Sequence, residues 1–96
     1  MNATAALQVN DRFTKRADRT YRVDGQRRTH GLLLLCEVTG LVDGTYTTGG
    51  FTYRVVEVLE ETNRPDFDGV YTPAEGTISW FGWDAAKGRG DVTTVA

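Results

Sequence analysis

No window of this sequence places apolar residues at the three-to-four spacing of an amphipathic helix. They alternate, or run together in short stretches, between glycine-containing turns. That pattern excludes a helical bundle and selects strands. Phe51, Tyr53 and Val55 alternate with Thr52 and Arg54, so the two sets line opposite faces of a strand that reaches Glu61. The alternation slips at Val55-Val56 and resumes with Val58. This phase change marks a β-bulge and leaves Phe51, Tyr53 and Val58 inward, with Thr52, Arg54 and Glu57 outward. The run from Gly31 to Val38, with four consecutive leucines, reads as a strand buried on both faces. Residues Gly76 to Phe81 read as a further strand. One helical turn, at Asp84–Lys87 or near Ala3–Gln8, is the most helix expected.

Asp-Gly at 24–25, 43–44 and 68–69, and Gly49-Gly50, supply the positive φ angles of tight turns. Two segments echo each other: Asp11-Arg12-Phe13-Thr14 leads to Thr20-Tyr21-Arg22-Val23, and Asp43-Gly44-Thr45-Tyr46-Thr47 leads to Thr52-Tyr53-Arg54-Val55. Each reads as strand, turn, strand. Short strands and Gly-rich turns at close spacing give the expected class: an all-β, single-domain barrel or sandwich of short antiparallel strands over residues 1–96. Residues 1–8 are expected to form an N-terminal arm and residues 84–96 a C-terminal tail. The hairpin pattern over residues 41–61 resembles that of small barrels, including SH3-like barrels and the head–tail joining proteins of tailed phages.

Ninety-six residues suffice for one core without metal or disulfide staples. The single cysteine excludes an internal disulfide. The longest apolar run, Leu32 to Cys36, is too short to cross a bilayer, and the N-terminus lacks the pattern of a secretion signal. Synthesis in the cytoplasm and no membrane partner are therefore expected. The net charge of −2 conceals a division. Residues 1–31 carry seven Lys/Arg against three Asp, a net of +4, while residues 32–96 carry four against ten Asp/Glu, a net of −6. Lys15, Arg16, Arg19, Arg22, Arg27 and Arg28 form the basic cluster; Glu57, Glu60, Glu61, Asp66 and Asp68 form the acidic one. An isoelectric point near 5.3 weighs against nucleic acid as the partner. Opposite clusters suit a head-to-tail contact between copies.

The inventory for chemistry is poor. Cys36 lies in an apolar strand, where a thiol is neither exposed nor ionised. His30 is six residues away, roughly 20 Å along a strand, so the two make no nucleophile–base pair. One His and one Cys cannot make a zinc site. Residues Arg64 to Glu75 place Asp66, Asp68, Gly69 and Glu75 at calcium-loop positions, but Arg64 stands where the first carboxylate belongs. Glu60 and Glu61 face apart in a strand and form no acid/base pair. Arg89-Gly90-Asp91 matches an integrin-recognition tripeptide, without a secretion signal to accompany it. No cofactor is expected. Trp80, Phe81 and Trp83, three large aromatics in four residues, exceed what core packing and turn-capping use, and an exposed one would anchor a protein contact.

The expected function is a non-enzymatic subunit that binds other protein chains in a larger assembly, such as a phage head–tail connector or capsid cement protein incorporated into a virion. Its expected contact residues are Lys15, Arg16, Arg19, Arg27, Arg28, Trp80, Phe81 and Trp83. Two alternatives stand beside it. One is a small inhibitor that occludes a host enzyme. The other is a nucleic-acid-binding barrel that uses residues 15–28 with Phe13 and Tyr21 as a stacking platform.

Overall fold

The computed structural model describes residues 7–67, 69–70 and 72–96. The chain forms β1 (Arg12–Val23), β2 (Gln26–Val42), β3 (Gly50–Thr62), β4 (Glu75–Ser79), α1 (Trp80–Arg89) and β5 (Val92–Val95). All five strands join one antiparallel sheet in the order β4-β3-β2-β1-β5. The all-β class holds, but the sheet is open and does not close into a barrel.

The reason lies in α1. By the alternation of the sheet β4 and β5 run parallel, and parallel strands need a crossover connection. α1 supplies it, carrying the chain from one edge of the sheet to the other. Its ten residues span about 15 Å, close to the width of the four strand spacings it bridges, about 19 Å. The helix lies where closing strands would meet.

Two-residue chemistry fixes the long hairpin: Asp24 (φ 51°) and Gly25 (φ 77°) form the turn between β1 and β2. Asp43-Gly44 makes no such turn; residues 43–49 form a longer loop, and Gly50 opens β3. Asp68 lies outside the described residues. The internal echo dissolves too. From Arg12 on, both parts of its first copy fall in the single strand β1, and Thr45–Thr47 of its second copy lie in the loop.

The predicted bulge is present. Cys36 pairs with Val55 and Leu35 with Glu57, leaving Val56 as the extra residue. Further register shifts leave Leu59 extra on β3 and Thr39 on β2. Phe51 and Tyr53 point into the core as expected, whereas Val58 remains 40% exposed because nothing described covers that part of the sheet.

Among the described residues, only one face of the sheet is covered. Leu32, Leu34, Cys36 and Val38 are buried, while Leu33 and Leu35 on the other face are half-buried. The leucine run is therefore not enclosed on both sides, because α1 packs on one face only. Phe13 sits at the centre of the core, its ring edge-on to Phe51, Tyr53 and Trp83 at 5.2–5.6 Å.

The strand expected at Gly76–Phe81 ends at Ser79, which is instead the helix N-cap. The Ser79 hydroxyl accepts from the Gly82 N–H at 3.0 Å. Gly90, in the left-handed region at φ 75°, ends the helix. Residues 84–96, expected as a tail, are the second half of α1 and β5, with Ala86 and Val92 in the core. Residues 1–6 of the expected N-terminal arm lie outside the described residues; Leu7 is buried.

Candidate functional site

The molecule is elongated, 53 × 22 × 22 Å, and its core occupies one end. At the other end β1, β2 and β3 run on past α1, β4 and β5. β5 pairs only with Arg12–Lys15 of β1, and β4 only with Gly50–Arg54 of β3. One backbone hydrogen bond follows each pairing: the Arg16 N–H donates to Asp91 O, and the Val55 N–H to Ala74 O, both at 2.8 Å. Beyond these, among the described residues, no strand lies against residues 17–23 or 56–62 on their outer sides.

The two edges differ chemically. The β1 edge carries Arg19 and Arg22 with one acid, Asp18, and Arg27 and Arg28 stand across the hairpin from Arg22 and Tyr21. The β3 edge carries Glu57, Glu60 and Glu61 beside Val56, Val58 and Leu59, which are 37–42% exposed. Arg16, Leu33 and Glu60 fall in one row across the sheet. The basic and acidic clusters of the sequence thus become opposite margins of one sheet, two strand spacings apart.

The expected contact residues separate into two groups. Arg16, Arg19, Arg27 and Arg28 are exposed on the hairpin, while Lys15 is half-buried on the core-facing side beside Cys36. The aromatic stretch lies at the opposite end of the molecule. Trp83 is 1% exposed, so it is a core residue and not a contact residue; α1 turns it onto Phe13 and Phe51. Its indole N–H meets no acceptor among the described residues. Trp80 is half-buried against Phe51, with ring centroids 5.4 Å apart. Phe81 alone projects, 56% exposed, edge-on to Tyr46 at 5.9 Å. The Tyr46 hydroxyl donates to Asp84 at 2.6 Å and holds that loop against the helix.

One group escaped the sequence reading. His30 is 4% exposed, and its Nε2 lies 2.7 Å from Glu61 Oε2. An ionised carboxylate only accepts, so Nε2 carries the hydrogen. This bond, with Arg64 at 3.4 Å, holds the Glu61 carboxyl below the ordinary carboxylate range. The pairing was hidden because it depends on the bulge at Leu59, which brings Glu61 onto the face of His30. Nearby, Tyr21 donates to Asn63 O at 2.8 Å and stands edge-on to Phe67. Tyr21 and Phe67, with His30 and Pro65, line a pocket of about 140 Å³, well below the size of ordinary small-molecule sites.

Among the described residues, no nucleophile reaches His30. Cys36 lies on the same face of β2, fully buried, and burial pushes its thiol up to about 11 against a weaker opposing pull from Lys15. No cluster of metal-ligating side chains occurs among the described residues. Arg89 and Asp91 pair with each other at 2.8 Å across Gly90, so the two charges of that tripeptide are engaged internally. Phe13 is fully buried and unavailable to stack a base, which removes half of the expected nucleic-acid platform. No protein-family model matches this chain, and comparison with curated proteins and with solved structures yields no significant match.

Proposed function

We propose that this chain is a non-enzymatic protein-interaction subunit of a larger assembly, of the kind found in phage virions as head–tail connectors or capsid cement proteins. The observation that carries the reading is the β3 edge beyond β4, against which no described strand lies. Val56, Val58 and Leu59 stand exposed along a strand edge, and natural proteins seldom leave apolar strand edges open unless something pairs with them. The division of charge between the two margins supports it, since complementary potentials steer approach and fix register. Phe81 and Tyr46 add a small aromatic surface at the far end.

Native mass spectrometry and sedimentation of the purified chain, alone and with chains that co-purify from its source, test the reading. Stoichiometric complexes are expected, and for the virion role the chain is expected at fixed copy number in purified particles. A chain that stays monomeric at every concentration and binds no other protein overturns the proposal.

A further inference from the structure

We infer that the outer side of β1, at the hairpin end, seats an extended segment of a partner protein in which acidic and apolar residues alternate. The inference rests on the assembly-subunit reading and names the chemistry of one contact.

The backbone is set for an added strand. The Arg16 N–H points away from β2, toward Asp91 O. β1 pairs with β2 without a register shift, so alternation turns the N–H and C=O groups of Asp18, Thr20 and Arg22 to that same outer side. Among the described residues no strand meets them. The chain enters β5 at Asp91, level with Arg16, so a segment opposite Asp18–Arg22 occupies the same lane further along and displaces nothing in it. The β3 edge is a poorer template, because the bulges at Val56 and Leu59 break its ladder.

The two faces beside this edge differ in chemistry. On the core-facing side, Tyr21, His30, Pro65, Phe67 and Val70 line the pocket of about 140 Å³. A cavity of about 150 Å³ accepts a benzene ring, so this pocket suits one apolar side chain. Phe67, 58% exposed, adds an aromatic contact at its margin. On the opposite face Arg22 and Arg27 stand directly across the hairpin from each other and, with Thr20 and Tyr21, line an open depression of about 330 Å³. Like charges placed opposite are destabilising, and the ion pairs among the described residues engage neither arginine. A carboxylate seated between the two guanidiniums relieves that repulsion and accepts charge-assisted hydrogen bonds from both.

One ligand geometry satisfies both faces. Successive side chains of a strand point to opposite sides. A segment paired with β1 therefore sends the residue opposite Tyr21 toward the apolar pocket and those opposite Thr20 and Arg22 toward the arginine pair. The faces select acid, apolar, acid in that order. Main-chain bonds supply the affinity and the alternate side chains the specificity.

The probe is a short capped peptide with glutamate–leucine–glutamate at its centre and threonine flanks. It is titrated to millimolar concentration into the full chain and followed by amide NMR shifts and hydrogen exchange. Saturable one-to-one binding is expected, with slowed exchange of the Asp18, Thr20 and Arg22 amides. Thr20→Pro removes the central outward N–H at an edge position, where proline is compatible with a strand. It is expected to keep the circular dichroism of the parent and weaken binding about tenfold or more. Serine in place of the peptide's leucine is expected to cost about tenfold as well. Arg22→Glu/Arg27→Glu is expected to lose the glutamate peptide and to bind one with lysine in place of glutamate. Absence of saturable binding, binding that survives Thr20→Pro with the fold intact, or protection centred on residues 56–62 each overturn the inference. Self-association of the parent that Thr20→Pro abolishes puts a second copy on the edge and overturns the choice of partner. The assembly-subunit reading is decided separately: it stands if native mass spectrometry finds stoichiometric complexes with other chains, and falls if it finds none.

Discussion

Cys36 and His30 occupy the same face of one strand and meet different fates. Cys36 lies deep among Phe13, Val38 and Phe51, where a thiolate would lose its hydration without a partner. A thiol reagent is therefore expected to label it only as the chain unfolds, and labelling of the native protein at the rate of a free thiol refutes this. His30, six residues nearer the hairpin tip, is buried with a carboxylate to bond. The consequence for Glu61 has a definite sign. Its folded-state carboxyl titrates below the unfolded one, so its contribution to stability is complete above the ordinary carboxylate range, about pH 4, and disappears as pH falls through the folded value. Glu37, held down by hydrogen bonds from Arg54 and then Arg12, behaves the same way. Denaturant unfolding across acidic pH is expected to show stability falling on the acid side, and less steeply in Glu61→Gln, which keeps an acceptor for His30 but no titration. An unchanged slope in that variant refutes the assignment.

At the scale of elements, β3 was the most legible part of the sequence. Alternation, the slip at Val55-Val56 and the Asp24-Gly25 turn each have a local physical cause, and each appears where the residues place it. α1 was not legible from apolar spacing, because Trp80, Phe81 and Trp83 surround the helix and leave no clean stripe. Its signals were at the ends: serine at the N-cap, Lys87 and Arg89 in the last turn, and glycine at the C-cap. The His30–Glu61 pair was hidden by a second bulge, whose effect on facing no single-strand pattern reveals. Two substitutions test the packing of these elements. A Cβ at Gly50 would overlap the carbonyl oxygen of Ile78 and lie 2.7 Å from Ser79 Cα, so β4 must shift to admit it. Gly50→Ala is expected to cost about 1–3 kcal/mol by denaturant unfolding. Trp83→Ala is expected to cost about 3–5 kcal/mol, and Phe81→Ala no more than about 1 kcal/mol, the worth of its edge-on contact with Tyr46. Equal losses at the two positions would refute the division of the aromatics into core and surface.

Across the whole molecule, stability is graded from one end to the other. Phe13, Cys36 and Phe51 gather beneath α1 around its Trp83, while the hairpin beyond Asp18 rests on His30, Tyr21 and the contacts with Pro65 and Phe67. Local opening follows the density of buried apolar contacts. Hydrogen exchange of the dilute monomer is expected to show amides that bond across the hairpin at Arg19 and Tyr21 exchanging well before those at Phe13 and Cys36. Simultaneous exchange would mean that the hairpin and the core open together.

β2 runs nearly the whole long axis, seventeen residues at about 3.3 Å each. It therefore acts as a ruler, and its pleat dictates the graduations. Removing one residue would turn every side chain beyond the cut to the opposite face and carry His30 away from Glu61. A change that keeps the pairing unbulged must come in pairs of residues, steps of about 7 Å, matched on β1 so that the hairpin still meets at Asp24-Gly25; a single extra residue is taken up as a bulge, as Thr39 is. Natural or engineered chains of this architecture are thus expected to differ in reach by whole pleats wherever no bulge takes up the odd residue.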